Sequence, residues 1–549
     1  MKARLLLILN TLITSVLMVG CASNPPTFSK AAIATSHPLA TQAGFRALDQ
    51  GGNAFDAAVA ASAVLSVVAP YGAGLGGGSF WLLQNRDGTA TLVDAREISP
   101  QNTTQKTQIN NSNTVSLSYK NTPLSAAIPG QPAALVHISK KYGIRPLAAN
   151  LADAVHLATR GFRVNKQYRF YASERINILK HQTSSPFLDQ GNIPQSGSVI
   201  KQPELAATLT LLARKGHNGF YQGKTANNIV SDLKKAGGVW TLQDLSDYKI
   251  IERPPISFSY KNSSITTAPP PSYGGIALQQ ALKILERFDT SDMSRIEKVD
   301  LISRVMRITS PEIATWLGDP AYSDLPIKQL TSGSYLSHLA GDIAANKPTA
   351  MTMQTETGID ENEAFMPQIS IIDRWGNKAS VSLSMNMPFG SAFTSSSTGV
   401  LLNNSLASFT QHQTRAAHGN NTAEPGKRPL SYMTPTLIES TESLTVLSAS
   451  NGKHTSSTLL LTVLDYLNST PNNRMKASPS YHYDTHTDSI QLEPSALSNA
   501  EKEALEAMGH NVQEHQRNYK DLQIIYSDKV NGNIEAFSTS TGGGQAIVR

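Results

Sequence analysis

Cys21 is the sole cysteine among 549 residues, so no disulfide can close within the chain and a thiol-based metal site lacks ligands. The 13 histidines add no paired ligand spacing: HQTRAAH (412–418) lies in a polar loop and HYDTH (482–486) in an irregular segment. Neither a metal nor a cofactor is expected. GAGLGG (72–77) formally matches the phosphate cradle GxGxxG. A dinucleotide site needs a strand before those glycines and a helix after them, whereas here a helical pattern precedes and a strand pattern follows. Arg96, in DAREISP, has Asp94 and Glu97 beside it as partners for a structural ion pair.

The surrounding elements are legible from pattern. ATQAGFRALDQ reads as a helix ended by Gly51 and Gly52, after which Asn53 caps AFDAAVAASAVLSVV and Asp56 takes the third helical position. That second helix is Ala/Val-rich nearly all round, which predicts burial. SFWLLQN, a DG turn and TATLVDARE form a hairpin after the glycine loop. Residues 130–350 read as mostly helical, with punctuation at PPPSYGG and WLGDP, followed by an acidic linker at TETGIDENEA. Hairpins return in QISIID/KASVSLSMN, whose first strand is expected to begin near Met366. TLIES/SLTVLSAS and LQIIYSDKVNGNIEAFSTS follow, with helices at SSTLLLTVLDYL and NAEKEALEAMG. Strands toward both ends with helices between predict sheets covered by helices in one layered α/β unit.

At the N-terminus, Lys2 and Arg4 precede LLLILNTLITSVLMV, too short and too interrupted for a comfortable membrane span, and MVGC closes the run. Small residues before a cysteine resemble the bacterial lipoprotein signal. Residues 1–20 are then expected to be removed and Cys21 lipidated, which places the protein in the bacterial cell envelope, on the periplasmic face of the outer membrane. A plain secretory signal cut slightly later is the alternative. Ala22 does not supply the aspartate that argues for inner-membrane retention. The formal charge of +6 is spread thinly, with no dense basic block, so a nucleic-acid role has no support. Hydrophobic content of 40% with 16% charged is ordinary for a globular chain.

Ten segments in order, GGNAFDAAVA, GAGLGGGSF, DAREISP, AIPGQPAAL, ITTAPPPSYGGIAL, WLGDP, SIIDRWGN, SMNMPFGS, GVLLNNS and KRPLSYMTPT, closely resemble the gamma-glutamyltransferase (glutathione hydrolase) family from about residue 31 to 545. The resemblance implies the layered αββα sandwich of the N-terminal-nucleophile hydrolases. It also implies a precursor that cleaves itself into a large-subunit region (here 21–365) and a small-subunit region (366–549), both within one fold. In the family a threonine at the new N-terminus attacks first its own preceding peptide bond and then the gamma-glutamyl carbonyl. That threonine falls here at Met366, whose thioether has no proton to lose, and GIDENEAFMPQI contains no Ser, Thr or Cys. Thr357 lies nine residues too early, and Ser370 lies four residues into the strand.

By the same resemblance Arg96 clamps the substrate's alpha-carboxylate, Ser384 (replacing a threonine) and Asn386 support the nucleophile and contact the amino-acid end, and Ser431 binds carboxylate. Tyr432 replaces a second serine with a large ring. The aspartate that pairs the alpha-ammonium falls at Ser408, so a charge-assisted bond of ~1.5–3 kcal/mol becomes a neutral one. The oxyanion glycines fall at Asn451 and Gly452. These changes predict a single uncleaved chain with impaired catalysis, holding a small carboxylate or gamma-glutamyl ligand, or an unidentified protein partner. The alternative is an active gamma-glutamyl hydrolase or acylase with another nucleophile.

Overall fold

The computed structural model describes residues 28–103, 119–181, 185–345, 365–410, 419–450, 452–468, 481–485, 487–514, 521–539 and 543–549. The leader with Cys21, the linker with Thr357, HQTRAAH, His486 and Asn451 lie outside the described residues.

Two sheets form the centre. The first has seven strands in the order Gln545–Val548, Ala32–Thr35, Gln368–Ile372, Lys378–Ser384, Gly78–Gln84, Ala90–Ala95, Ile251–Arg253. The second has six: Ile534–Ser538, Asp521–Asp528, Ser443–Ser450, Thr436–Glu439, Ser263–Thr267, Ile256–Tyr260. Within each, every neighbouring pair is antiparallel. Both sheets combine strands from before and after position 366, interleaved in the first and in two adjoining blocks in the second.

The two faces of the first sheet differ as period-two alternation requires. Ala379, Val381 and Leu383 point into the core under the helices, together with Ile369 and Ile371. Their alternates Ser380 and Ser370 point between the sheets, where Ser370 Oγ meets Ser448 Oγ at 3.0 Å and Ser380 Oγ donates to the Leu447 carbonyl at 2.8 Å. Ala32, Ala34, Phe80, Leu82, Met433, Leu437, Val446 and Ile525 fill the remaining space between the sheets. The helix Ala54–Val68 is buried along its whole length. Its N-terminus is a complete capping box in which Asn53 Oδ1 accepts from the Phe55 and Asp56 amides while Asp56 accepts from the Asn53 amide.

The 130–350 region is mostly helical, with strands at 251–253, 256–260 and 263–267, where ISFSY alternates with Phe258 and Tyr260 turned inward. The strand expected near Met366 begins at Gln368, since Pro367 has no N–H for the ladder and offers only its carbonyl, to Leu383 N at 3.0 Å.

Asp56 is fully buried and also accepts from Ile144 N (2.9 Å), Arg145 N (3.2 Å) and Asn150 Nδ2 (2.8 Å), tying three segments together. Asp56→Ala strands these donors and is expected to cost roughly 3–5 kcal/mol, read as a lower urea midpoint.

Candidate active site

Arg96 leaves the end of strand Ala90–Ala95 and is 2% exposed. Its guanidinium must therefore satisfy its donors inside the protein. Nε donates to the Pro429 carbonyl (3.2 Å), and Nη2 to the Leu430 carbonyl (3.0 Å) and Ser408 Oγ (3.5 Å). Nη1 donates to Glu97 Oε2 (2.7 Å) and Ser405 Oγ (3.4 Å). The ion-pair partner is thus Glu97, whose other oxygen accepts from Ser405 Oγ at 2.8 Å. Asp94 instead pairs with Arg253 (2.8 Å) and Arg428 (3.3 Å). Asp319, from WLGDP, accepts from the Arg428 amide at 3.0 Å and so holds the segment that carries Leu430 and Ser431.

Ser405 and Ser408 both face Arg96 because they lie three apart on one 3-10 turn, Ser405–Ser408. Ser408 Oγ donates to Asn386 Oδ1 (2.8 Å), the Asn386 amide donates to Ser384 Oγ (2.9 Å), and Asn386 Nδ2 reaches Asn404 Oδ1 (3.1 Å). One chain of hydrogen bonds therefore joins Arg96, Ser408, Asn386 and Ser384. Asn386, Phe389 and Ala392 take φ values of 70°, 59° and 57°, a cluster of left-handed backbone of the kind held in place at functional loops. The buried Arg175 braces that loop by donating to the Pro388 and Gly390 carbonyls, both at 3.0 Å. Ser431 is buried; its Oγ accepts from Met433 N at 3.1 Å, and its carbonyl accepts from Tyr273 N at 2.8 Å. Tyr432 is partly buried edge-on to Tyr273, with centroids 5.4 Å apart.

Met366 is 2% exposed and belongs to the apolar cluster between the sheets. The pairing of Ser382 with Gln368, continued by the Leu383–Pro367 bond, sets Met366 level with Ser384. Its amide donates across to Ser450 Oγ on the second sheet (2.8 Å), and its carbonyl accepts from Gln368 Nε2 (2.5 Å). Gly452, with φ 52°, opens the turn just beyond Ser450 and precedes the helix Thr455–Asn468. The residue before Met366 is also fixed: the Phe365 ring lies 5.5 Å from that of Tyr71 and 5.0 Å from that of Tyr171.

A buried carboxyl sits behind this position. Asp521 pairs with Ser450 in the second sheet and accepts from Ser36 Oγ (2.6 Å), which accepts in turn from the Gln368 amide (2.7 Å). Sequence reasoning missed Ser405, Ser450, Gln368 and Asp521. The three-residue spacing of Ser405 and Ser408 was the only local signal; the others depend on pairing between distant strands.

The profile of the gamma-glutamyltranspeptidase family matches residues 40–548, and the chain belongs to that family. The glutathione hydrolase proenzymes of Bacillus subtilis and Pseudomonas aeruginosa are each 30% identical to it, over 94% and 95% of this chain and 91% and 95% of theirs. The crystal structure of Helicobacter pylori gamma-glutamyltranspeptidase is 30% identical with a TM-score of 0.54, covering 58% of this chain and 96% of that one. The cephalosporin acylase of Bacillus halodurans, 23% identical, shares the fold at a TM-score of 0.82 over 95% of this chain and 96% of its own. The fold is the layered α/β sandwich of the N-terminal-nucleophile hydrolases.

Burial raises the Asp521 carboxyl to about 6, against hydrogen bonds from Ser36 and Gln523 that favour the ionised form. Between about pH 4 and pH 6 the native protein keeps a proton that the unfolded chain has released, so this group's contribution to stability falls as pH rises through that window. Asp521→Asn is expected to remove about 3 kcal/mol of that decline, measured as the difference between the two proteins' stability–pH curves from pH 4 to pH 7.

Proposed function

We propose that this chain is a non-processing, catalytically impaired member of the gamma-glutamyltransferase family whose cleft binds a small carboxylate lacking an alpha-ammonium. The observation that carries the binding reading is the pattern of lengths around Arg96. Its bonds to Glu97 and to the two carbonyls are 2.7–3.2 Å, whereas those to Ser405 and Ser408 are 3.4 and 3.5 Å, one from each terminal nitrogen. The two weak bonds are the pair a carboxylate would replace in bidentate fashion, leaving the strong ones intact. Replacing an aspartate by Ser408 removes one negative charge from the site, and removing the ammonium from the ligand takes away the matching positive charge. Glutarate is glutamate without that ammonium and is the natural probe.

Impairment is supported by position 366 itself. An N-terminal nucleophile needs a proton on its attacking atom and a free amine beside it. A thioether supplies neither proton nor ester, and without cleavage before Met366 no free amine is made there. The envelope location and the lipid anchor at Cys21 belong to the same proposal and rest on the leader sequence alone. The second reading, an active gamma-glutamyl hydrolase or acylase, requires a nucleophile outside those named above.

Intact mass of the purified chain from Ala22 is expected to give one full-length species after prolonged incubation. Two fragments summing to the whole would support the active reading and name its nucleophile by the new N-terminus. Met366→Thr alone is expected not to restore efficient cleavage, because Pro367, Ser408 and Asn451 still depart from the family pattern. In calorimetry, glutarate is expected to bind more tightly than glutamate, and Ser408→Asp to reverse that order by roughly tenfold, the size of one charge-assisted bond. Absence of heat and of thermal shift with both ligands would remove the binding reading.

A further inference from the structure

The site occupies one end of the sandwich, and the hairpin turns gather at the other. In the first sheet Ala32, Ile372, Lys378 and Gln84 pair in one row, and beyond that row lie the turns 85–89 and 373–377. In the second sheet the turns 440–442 and 529–533 share that end, since Lys529 Nζ reaches Glu439 Oε1 at 2.6 Å. Lys378, between the sheets, lies within electrostatic reach of Asp87 and Asp373 on one side and Glu439 and Lys529 on the other. Ser384 and Met366 stand six residues along the strand, about 20 Å away.

This far end exposes what soluble surfaces usually hide. Trp375 is 41% exposed, Ile144 65% and Val530 78%. Trp375, Ile144 and Arg86 line one surface pocket of about 340 Å³, so the apolar and basic groups are contiguous. The turn that presents Trp375 is rigid: Asp373 accepts from the Trp375 and Asn377 amides (both 2.9 Å), from Asn377 Nδ2 (2.8 Å) and from the Ala54 amide (2.8 Å). Lys30, Arg86 and Arg374 are exposed at this end and have no ion-pair partner among the described residues. Against them stand the exposed acids Glu442, Glu535 and Asp87, the last within electrostatic reach of Arg86.

The chain enters the fold at this same end. The Phe28 amide donates to the Arg374 carbonyl at 2.9 Å, one residue from Trp375. Only six residues, 22–27, separate Phe28 from Cys21 in the sequence. Even fully extended, that tether spans about 25 Å.

We infer that the turn-bearing end, with Trp375, Ile144 and Val530 as its apolar contacts and Lys30, Arg86 and Arg374 as its cations, docks on an anionic lipid bilayer surface, which turns the carboxylate cleft away from the membrane. Indole rings are favoured at the headgroup level, and each basic residue near an anionic surface adds attraction. The orientation rests on the lipidation of Cys21 proposed above; the docking end itself does not.

The test uses the chain from Ala22, which carries no anchor, with vesicles of phosphatidylglycerol and phosphatidylethanolamine. It is expected to co-sediment at low salt and to release as salt rises. Trp316→Phe removes the other exposed indole, since Trp81 and Trp240 are buried. In that background Trp375 emission is expected to shift to the blue and to be quenched by brominated lipid. Trp375→Ser with Arg374→Glu is expected to lower the partition coefficient roughly tenfold or more. Val530→Glu, on the other sheet's turn, is expected to weaken binding independently, with the thermal midpoint retained in each variant. No partition into anionic vesicles, unquenched Trp375, or variants that bind like the parent would overturn the docking end. Mass spectrometry of Cys21 from envelope fractions separates the two ideas. An unmodified cysteine with vesicle binding retained overturns the anchor and leaves the docking end standing. A lipidated cysteine with no vesicle binding overturns the docking end alone.

Discussion

A guanidinium withdrawn from water keeps its charge at tolerable cost only when each donor finds an acceptor. Arg96 meets that condition with partners from three places: its neighbour Glu97, the 3-10 turn 405–408, and the carbonyls of 429 and 430. These segments lie more than 300 residues from Arg96 or adjoin it directly, so the pairing is a closure of the whole fold. A second set of charges, Asp94 and Asp319 with Arg253 and Arg428, holds the 428–430 segment from behind. Without that brace the two carbonyls would have no reason to face the arginine.

The same logic of satisfied polar groups runs between the sheets. A purely aliphatic interface would pack with no demand on lateral register. Here serines at 370, 380, 448 and 450 interrupt the apolar cluster and pair across it, which ties each strand to one alignment. The alignment brings the amide of position 366 to Ser450 and the row of Asp521, Ser36 and Gln368 behind it. Methionine fits this position because its flexible, unbranched side chain fills the apolar remainder. The hydrogen bonds at position 366 are thus made by its backbone, and the methionine side chain takes no part in them.

Much of the fold was legible from local pattern. Asn53 and Asp56 announced a helix start that the capping box confirms, and the DG and NG turns marked hairpins because only a few residue types accept their backbone angles. The hairpin at 256–267 was missed since its strands are short and sit among helices, where five alternating residues carry little weight against longer periodic neighbours. The candidate site was legible through its motifs for Arg96, Ser384, Asn386, Ser408 and Ser431. Ser450 and Asp521 carried no such mark, because what places them is their pairing with one another and their approach to strand 368–372.

By itself the sequence determined what each side chain is able to do: Met366 has no proton to give, Ser408 has no charge for an ammonium, and one cysteine excludes a disulfide within the chain. Those properties are covalent and need no fold. The tertiary structure alone decided that Arg96 pairs with Glu97 rather than Asp94, that its two longest bonds lead to Ser405 and Ser408, and that Trp375 shares an end of the sandwich with the entry of the chain at Phe28. Distances of that kind follow from strand order and from the burial of charge, which depend on contacts between residues hundreds of positions apart.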